Sequence, residues 1–274
     1  MSQHVRARSR TSKRVAVAAA LGLLAATAAW VNAPHDKPDG ARGSRALDDR
    51  PTAAAASAAA ASVAAADRAA ARTARDPSQG LTGVSDETLA RIPGNARQLV
   101  LVTGKAEDSS ESTLTLYSRP GPGSDWAPDA SWPARNGAHG WSPPAERTQG
   151  DLTTPMGVFS LTDAGGLLPK PPGTKFPYDR SRLFVPSGQG VNGESLAGAF
   201  DYVVAIDFNR ERGVSPLDPR QPDGEDKGGN IWLHVDHDGP SQGCVGIPKE
   251  AMKALLQSLD PAAHPVIAMG PAGF

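Results

Sequence analysis

The apolar pattern of this chain changes character near residue 91. Beyond that point, short apolar runs recur between polar stretches rich in Gly and Pro. Residues 98–103 form an apolar run of strand length, and residues 113–117 alternate with period two, as a half-buried strand does. Residues 158–161, 202–206, 231–235 and 266–269 add four more β-type runs, each bounded by turn residues. Residues 119–123, 168–173 and 217–229 are read as loops, as is the Trp- and Pro-rich stretch that holds Trp126, Trp132 and Trp141. One helix is expected with Pro248 in its first turn. There Ala251, Met252, Leu255, Leu256 and Leu259 form a single apolar face. Many short strands with one late helix predict a mainly β domain over residues 91–274, a sandwich or barrel with one or few short helices.

Before residue 91 the pattern cannot build a core. Residues 32–90 are low in complexity, and residues 51–72 are mostly alanine, which favours helix but buries little. This stretch is expected to be a linker that holds a domain at a distance. Residues 1–31 differ again. Arg6, Arg8, Arg10, Lys13 and Arg14 precede seventeen uncharged residues from Val15 to Val31. A basic region followed by an apolar one is the pattern of a secretory signal peptide, or of an N-terminal membrane anchor if it is retained. The expected location of the domain is therefore extracytoplasmic: secreted, in the cell wall, or membrane-anchored and facing the wall.

Charge and cysteine usage narrow the classes. From Arg91 onward there are 16 Lys and Arg against 21 Asp and Glu, so the domain is acidic and carries no nucleic-acid patch. The whole chain has one cysteine, Cys244, so no intrachain disulfide exists and packing must hold the domain together. An unpaired thiol in an exported chain draws attention. Cys244 follows Ser241, Gln242 and Gly243 in a turn, and His234 stands ten residues upstream at the end of an apolar run. Thiolate is the nucleophilic form of cysteine, and a nearby imidazole can take its proton. Gly243 removes side-chain bulk where backbone N–H groups can point at an oxyanion.

These residues resemble the catalytic signature of the YkuD-type L,D-transpeptidases, with Ser241, Gly243 and Cys244 after a strand ending in His234. The segment from Gly150 to Phe159, with Thr154, Pro155, Gly157 and Phe159, is similar to the family's TPxGxF segment. Residues 202–209 resemble the strand before its active-site region. The likeness spans residues 91–274 and looks closest to the exported actinobacterial branch. It implies a YkuD-like β fold and cross-linking of peptidoglycan stem peptides through a cysteine thioester, with no cofactor and no metal. Cys244 is then the nucleophile, His234 the proton donor and acceptor, Gly243 an oxyanion N–H donor, Ser241 an orienting residue and Gln242 a substrate contact. Three features depart from the family. Gln242 stands where a second histidine is usual, Gly246 where Arg or Asn is usual, and the interval from His234 to Cys244 is short.

Other readings stay open on sequence. Water in place of an acceptor amine makes the same chemistry an L,D-carboxypeptidase or amidase. A catalytically silent peptidoglycan-binding module would share the fold. A zinc site would draw on His234, Asp236, His237 and Asp238, with His139 and His264 further off. Strand alternation, however, puts residues 234, 236 and 238 on one face and His237 on the other, so no zinc site is expected.

Overall fold

The computed structural model describes residues 80–274. The basic and apolar residues 1–31 lie outside the described residues, as do residues 32–79 of the low-complexity stretch. Among the described residues, no helix is long and apolar enough to cross a membrane.

The principal strands are β1 (Gln98–Gly104), β2 (Glu111–Ser118), β3 (Ala127–Arg135), β6 (Gly157–Gly166), β8 (Val203–Ile206), β9 (Trp232–Val235), β10 (Val245–Ile247) and β11 (Val266–Pro271). Shorter pieces are β4 (Trp141–Ser142), β5 (Thr154–Pro155) and β7 (Tyr178–Arg180). The main sheet runs β11-β1-β2-β3-β10-β9-β8-β6-β7, and β6 also pairs with β11. That last pairing closes eight strands into a barrel, which removes the exposed edges an open sheet would leave. Mainly β architecture with few short helices is what the strand spacing predicts.

Alternation along each strand sorts side chains to the two faces of the barrel wall. Val100, Val102, Leu114, Leu116, Val204, Leu233, Val245, Ile267 and Met269 form one buried cluster. Helix α2 (Lys249–Ser258) supplies Ala251, Met252, Leu255 and Leu256 to the same cluster, with Leu259 at its C-cap. The residues between them face the other way into two outer clusters. Leu99, Leu101, Val266 and Ala268 pack under Leu81, Leu89 and Phe274. Val203, Ala205 and Trp232 pack under Phe184, with Phe200 and Cys244 alongside. The second outer cluster carries the site.

One expectation needs correction, and packing also reaches upstream of the composition break. Leu81 and Leu89 are buried, Ser85 caps a short helix α1 (Asp86–Arg91), and Ser85 N–H donates to the carbonyl of Phe274 at 2.7 Å. Composition hides this because only two buried leucines tie the segment down. The Trp- and Pro-rich stretch is also not all loop, since Ala127–Arg135 is β3. Proline is tolerated at edges and bulges, and β3 offers both. It meets β10 only through Arg135, and its register with β2 shifts beside Tyr117. Trp126 and Trp141 are buried, and Trp132 packs against the core. Trp126 carries the Arg119 guanidinium over its ring at 4.2 Å.

Candidate active site

Strands β9 and β10 are parallel neighbours, with Val245 opposite Leu233 and Gly246 opposite His234. Leu233 and Val245 point into the barrel. Period-two alternation therefore sends Trp232, His234, Cys244 and Gly246 to the outer face together. The cysteine and the histidine thus share one face of one strand pair. Both line a cavity of about 260 Å³, together with Arg147, His237, Ser241 and Gln242. Leu196, Ala199 and Phe200, from the segment that covers this face, form its far wall. A larger hollow of about 480 Å³ lies on the other side of Leu196 and Phe200. Its only titratable lining residue is Asp201, already paired with Lys249 at 2.6 Å.

The imidazole of His234 is buried and held in one orientation. Nδ1 lies 2.8 Å from the carbonyl of Val235. A carbonyl only accepts, so Nδ1 carries the proton and Nε2 is left as the acceptor. Phe200 packs edge-on at 5.9 Å, and His237 stacks face to face at 5.5 Å with the rings 2° from parallel. Burial lowers the His234 pKa from 6.5 to about 4, despite the bond to Val235, so the ring is neutral near pH 7. Cys244 Sγ accepts from Trp232 N–H at 3.4 Å and lies 3.5 Å from the carbonyl of Asn230. Burial raises the thiol pKa above its ordinary value, while the Trp232 N–H and the charge of Arg147 pull it partly back. The resting pair is therefore a neutral thiol and a neutral imidazole. Such a pair moves the proton during attack and does not rest as an ion pair.

The turn before Cys244 is tied from several sides. Ser241 Oγ donates to the carbonyl of Cys244 at 2.6 Å and accepts from Gly243 N–H at 3.0 Å. Ser241 N–H donates to the carbonyl of Asn136, and Ala138 N–H to that of Ser241. Thr154, fully buried in β5, accepts from Gly137 N–H and donates to the carbonyl of Cys244 at 3.5 Å. This is the physical place of the TPxGxF-like segment: its threonine braces the cysteine turn. Gly243 has φ +139°, and a Cβ there would lie 2.8 Å from both Arg147 Nη2 and the carbonyl of Thr153, so only glycine fits. The expected oxyanion role of Gly243 N–H meets an obstacle, because that group is engaged by Ser241 Oγ. The N–H groups of Gln242 and Cys244 make no hydrogen bond to the described residues, which leaves the Cys244 N–H beside the thiol as a donor. Gln242 is exposed at the cavity rim.

A family model for the L,D-transpeptidase catalytic domain, YkuD, matches residues 108–267. The chain belongs to this family. The matched span is more than half of the chain and contains the TPxGxF-like segment, His234 and the cysteine turn. No curated protein matches the chain.

The L,D-transpeptidase domain holds two site features that its sequence does not disclose. His237 is one. Strand alternation sends it away from His234, but β9 ends at Val235, and the chain turns so that the two rings stack. His237 is buried in the cavity wall, with Nδ1 3.1 Å from Glu194 Oε1. Its neighbours part company with it: Asp236 pairs with Arg135 at 2.5 Å, and Asp238 is solvent-exposed. Face-to-face stacking turns ring faces, not lone pairs, toward each other. Among the described residues no group of three or more His, Cys, Asp or Glu is placed to hold a metal ion. His139 instead bonds the carbonyl of Asp151, and His264 caps a short 3-10 turn.

Arg147 is the other feature. It is only 3% exposed, yet it lines the same cavity. Its Nε donates to the carbonyl of Thr153 at 3.2 Å and its Nη1 to that of Lys227, while Phe208 lies under the guanidinium at 5.5 Å. Both carbonyls are themselves fixed. Asp151 closes the loop that presents Thr153 by accepting from Thr148 N–H and from Thr153 N–H and Oγ1. Asn209 holds the Lys227 loop through the carbonyls of Gly224 and Gly228. The buried Arg210–Asp207–Asp163 cluster anchors the start of that loop. No motif surrounds Arg147 in the sequence. Its place depends on loops that meet only in the folded barrel.

Proposed function

We propose that this protein is an exported, cysteine-dependent L,D-transpeptidase that acts on peptidoglycan stem peptides through a thioester. One observation carries the reading: the Cys244 thiol and the His234 imidazole share one face of the β9–β10 pair inside one cavity, with His234 Nδ1 committed to Val235. Cys244 Sγ attacks the carbonyl of an L,D-configured amide in the donor stem, and His234 Nε2 takes the thiol proton. The Cys244 N–H faces the developing oxyanion. His234 then gives its proton to the leaving amine, which departs as the C–N bond breaks and the thioester forms. An acceptor amine attacks the thioester, loses its proton to His234 and releases the thiol as the new amide forms. Ser241 holds the turn in shape, and Gln242 contacts the substrate at the rim.

Export rests on the basic-then-apolar residues 1–31, and residues between that segment and the barrel act as a tether that places the site at the wall. The test is product analysis by mass spectrometry with tetrapeptide-stem muropeptides. Cross-linked dimers are expected. Release of the terminal residue without dimers would make the protein a carboxypeptidase, and no product at all would leave a binding module.

A further inference from the structure

The cavity around Cys244 carries a buried positive charge with no ion-pair partner among the described residues. Arg147 is 3% exposed, and no carboxylate among the described residues lies within ion-pairing distance of it. The cavity wall includes no Asp or Glu. Asp151 acts on the guanidinium only through space, and its oxygens accept instead from Thr148 and Thr153. Two edges of the guanidinium are taken by neutral carbonyls, and one face by Phe208. The remaining Nη2 makes no hydrogen bond to the described residues and sits against Gly243, beside the cysteine. A buried, unpaired guanidinium is costly unless something neutralises it. A planar fork with one free edge is shaped for a carboxylate.

We propose that Arg147 reads the free carboxylate of the amino acid that leaves when Cys244 attacks. The proposal rests on the thiol reading above and deepens it. The carboxylate of a C-terminal residue lies only a few bonds from the scissile carbonyl carbon. A guanidinium nitrogen against Gly243 is therefore within reach of it while Sγ faces the carbonyl. The substrate class this selects is a peptide with a free carboxyl terminus one residue beyond the cleaved bond. Arg147 also supplies a fixed cation to the cavity wall. The loop carrying it comes from the far side of the barrel sequence, between β4 and β5.

The test compares two thiol reagents of similar size on the full chain, where Cys244 is the only thiol. Iodoacetate is anionic and iodoacetamide is neutral; in both, the thiolate displaces iodide from the same carbon. The ratio of their rates, set against the same ratio for free cysteine, cancels the thiol's own ionisation. In the wild type at low salt this ratio should exceed that of free cysteine about tenfold, the scale of one charged hydrogen bond. Arg147→Met should bring it down to the free-cysteine value, and Arg147→Lys should retain part of it. With peptides, amidating the terminal carboxylate should raise KM about tenfold in the wild type and leave it unchanged in Arg147→Met. A wild-type ratio equal to that of free cysteine overturns the proposal while leaving the nucleophile intact, and needs no variant to fold. A thiol inert to both reagents overturns the thiol reading and this proposal together.

Discussion

Burial holds His234 at about 4, down from 6.5, and pushes the Cys244 thiol up, and both shifts have measurable consequences. The unfolded chain takes up the histidine proton near 6.5 and the folded chain only near 4. Stability is therefore complete above pH 6.5 and falls as the pH drops between those values, by up to about 3 kcal/mol. Urea midpoints across pH 4–7 should show this slope in the wild type, and His234→Leu should flatten it. The same group shapes the kinetics. Acylation by a carbapenem should rise with pH around 4 as His234 becomes an acceptor, then stay level through neutral pH. His234→Ala should lack that limb, react about 10²–10⁴-fold more slowly at pH 7, and quicken only as the thiol ionises on its own. An unchanged profile in the variant would remove His234 as the base. At this scale, the cysteine, its turn and the histidine were legible because nucleophile and base chemistry names its residue types. Arg147 and His237 were not, because one is fixed by carbonyls from two distant loops and the other by a turn that ends a strand early.

The pairing of β9 with β10 does the positioning. Register puts Gly246 opposite His234, and a Cβ on Gly246 would lie 3.3 Å from His234 Cε1 and 3.2 Å from the Cα of Asp236. A side chain of the family's usual size at this position has to displace the ring or the strand end. Gly246→Val should therefore cost about 1–3 kcal/mol by overpacking and lower the acylation rate more than it lowers the melting temperature predicts. Kinetics and thermal melts on the same sample check this, and a variant with wild-type rate would show that the ring has room. The strands from which this pair is cut were only partly visible in sequence. Residues 231–235 declare themselves through continuous Ile, Trp, Leu and Val. Strand β10 does not, being three residues long behind a Ser- and Gly-rich turn, and β3 is masked by Pro128 and Pro133. Helix α2 was legible to within a residue of each end, with Pro248 and Leu259 its caps, because its apolar face repeats at helical spacing and all of it is buried.

For the molecule as a whole, the barrel needs its N-terminal strap. Leu81 and Leu89 cover Leu99, Leu101, Val266 and Ala268, and Ser85 bonds the last residue. A chain starting at residue 80 should fold with near-native stability, whereas one starting at residue 92 should lose roughly 4 kcal/mol, the burial of two leucines. Denaturant melts of the two truncations decide this, and equal stability would return residues 80–91 to the linker. A composition break marks where a chain becomes globular only to within a short segment, since two leucines on a strap leave no periodicity to read. The full chain has one thiol, and its chemistry decides what the protein does. Intact-mass spectrometry after incubation with a tetrapeptide-stem muropeptide tests it most directly. A covalent adduct should appear, equal to the donor less its terminal residue, localised to Cys244 and absent from Cys244→Ala. Cross-linked product formed by Cys244→Ala, or turnover by the wild type with no adduct at any time point, would contradict the thioester account.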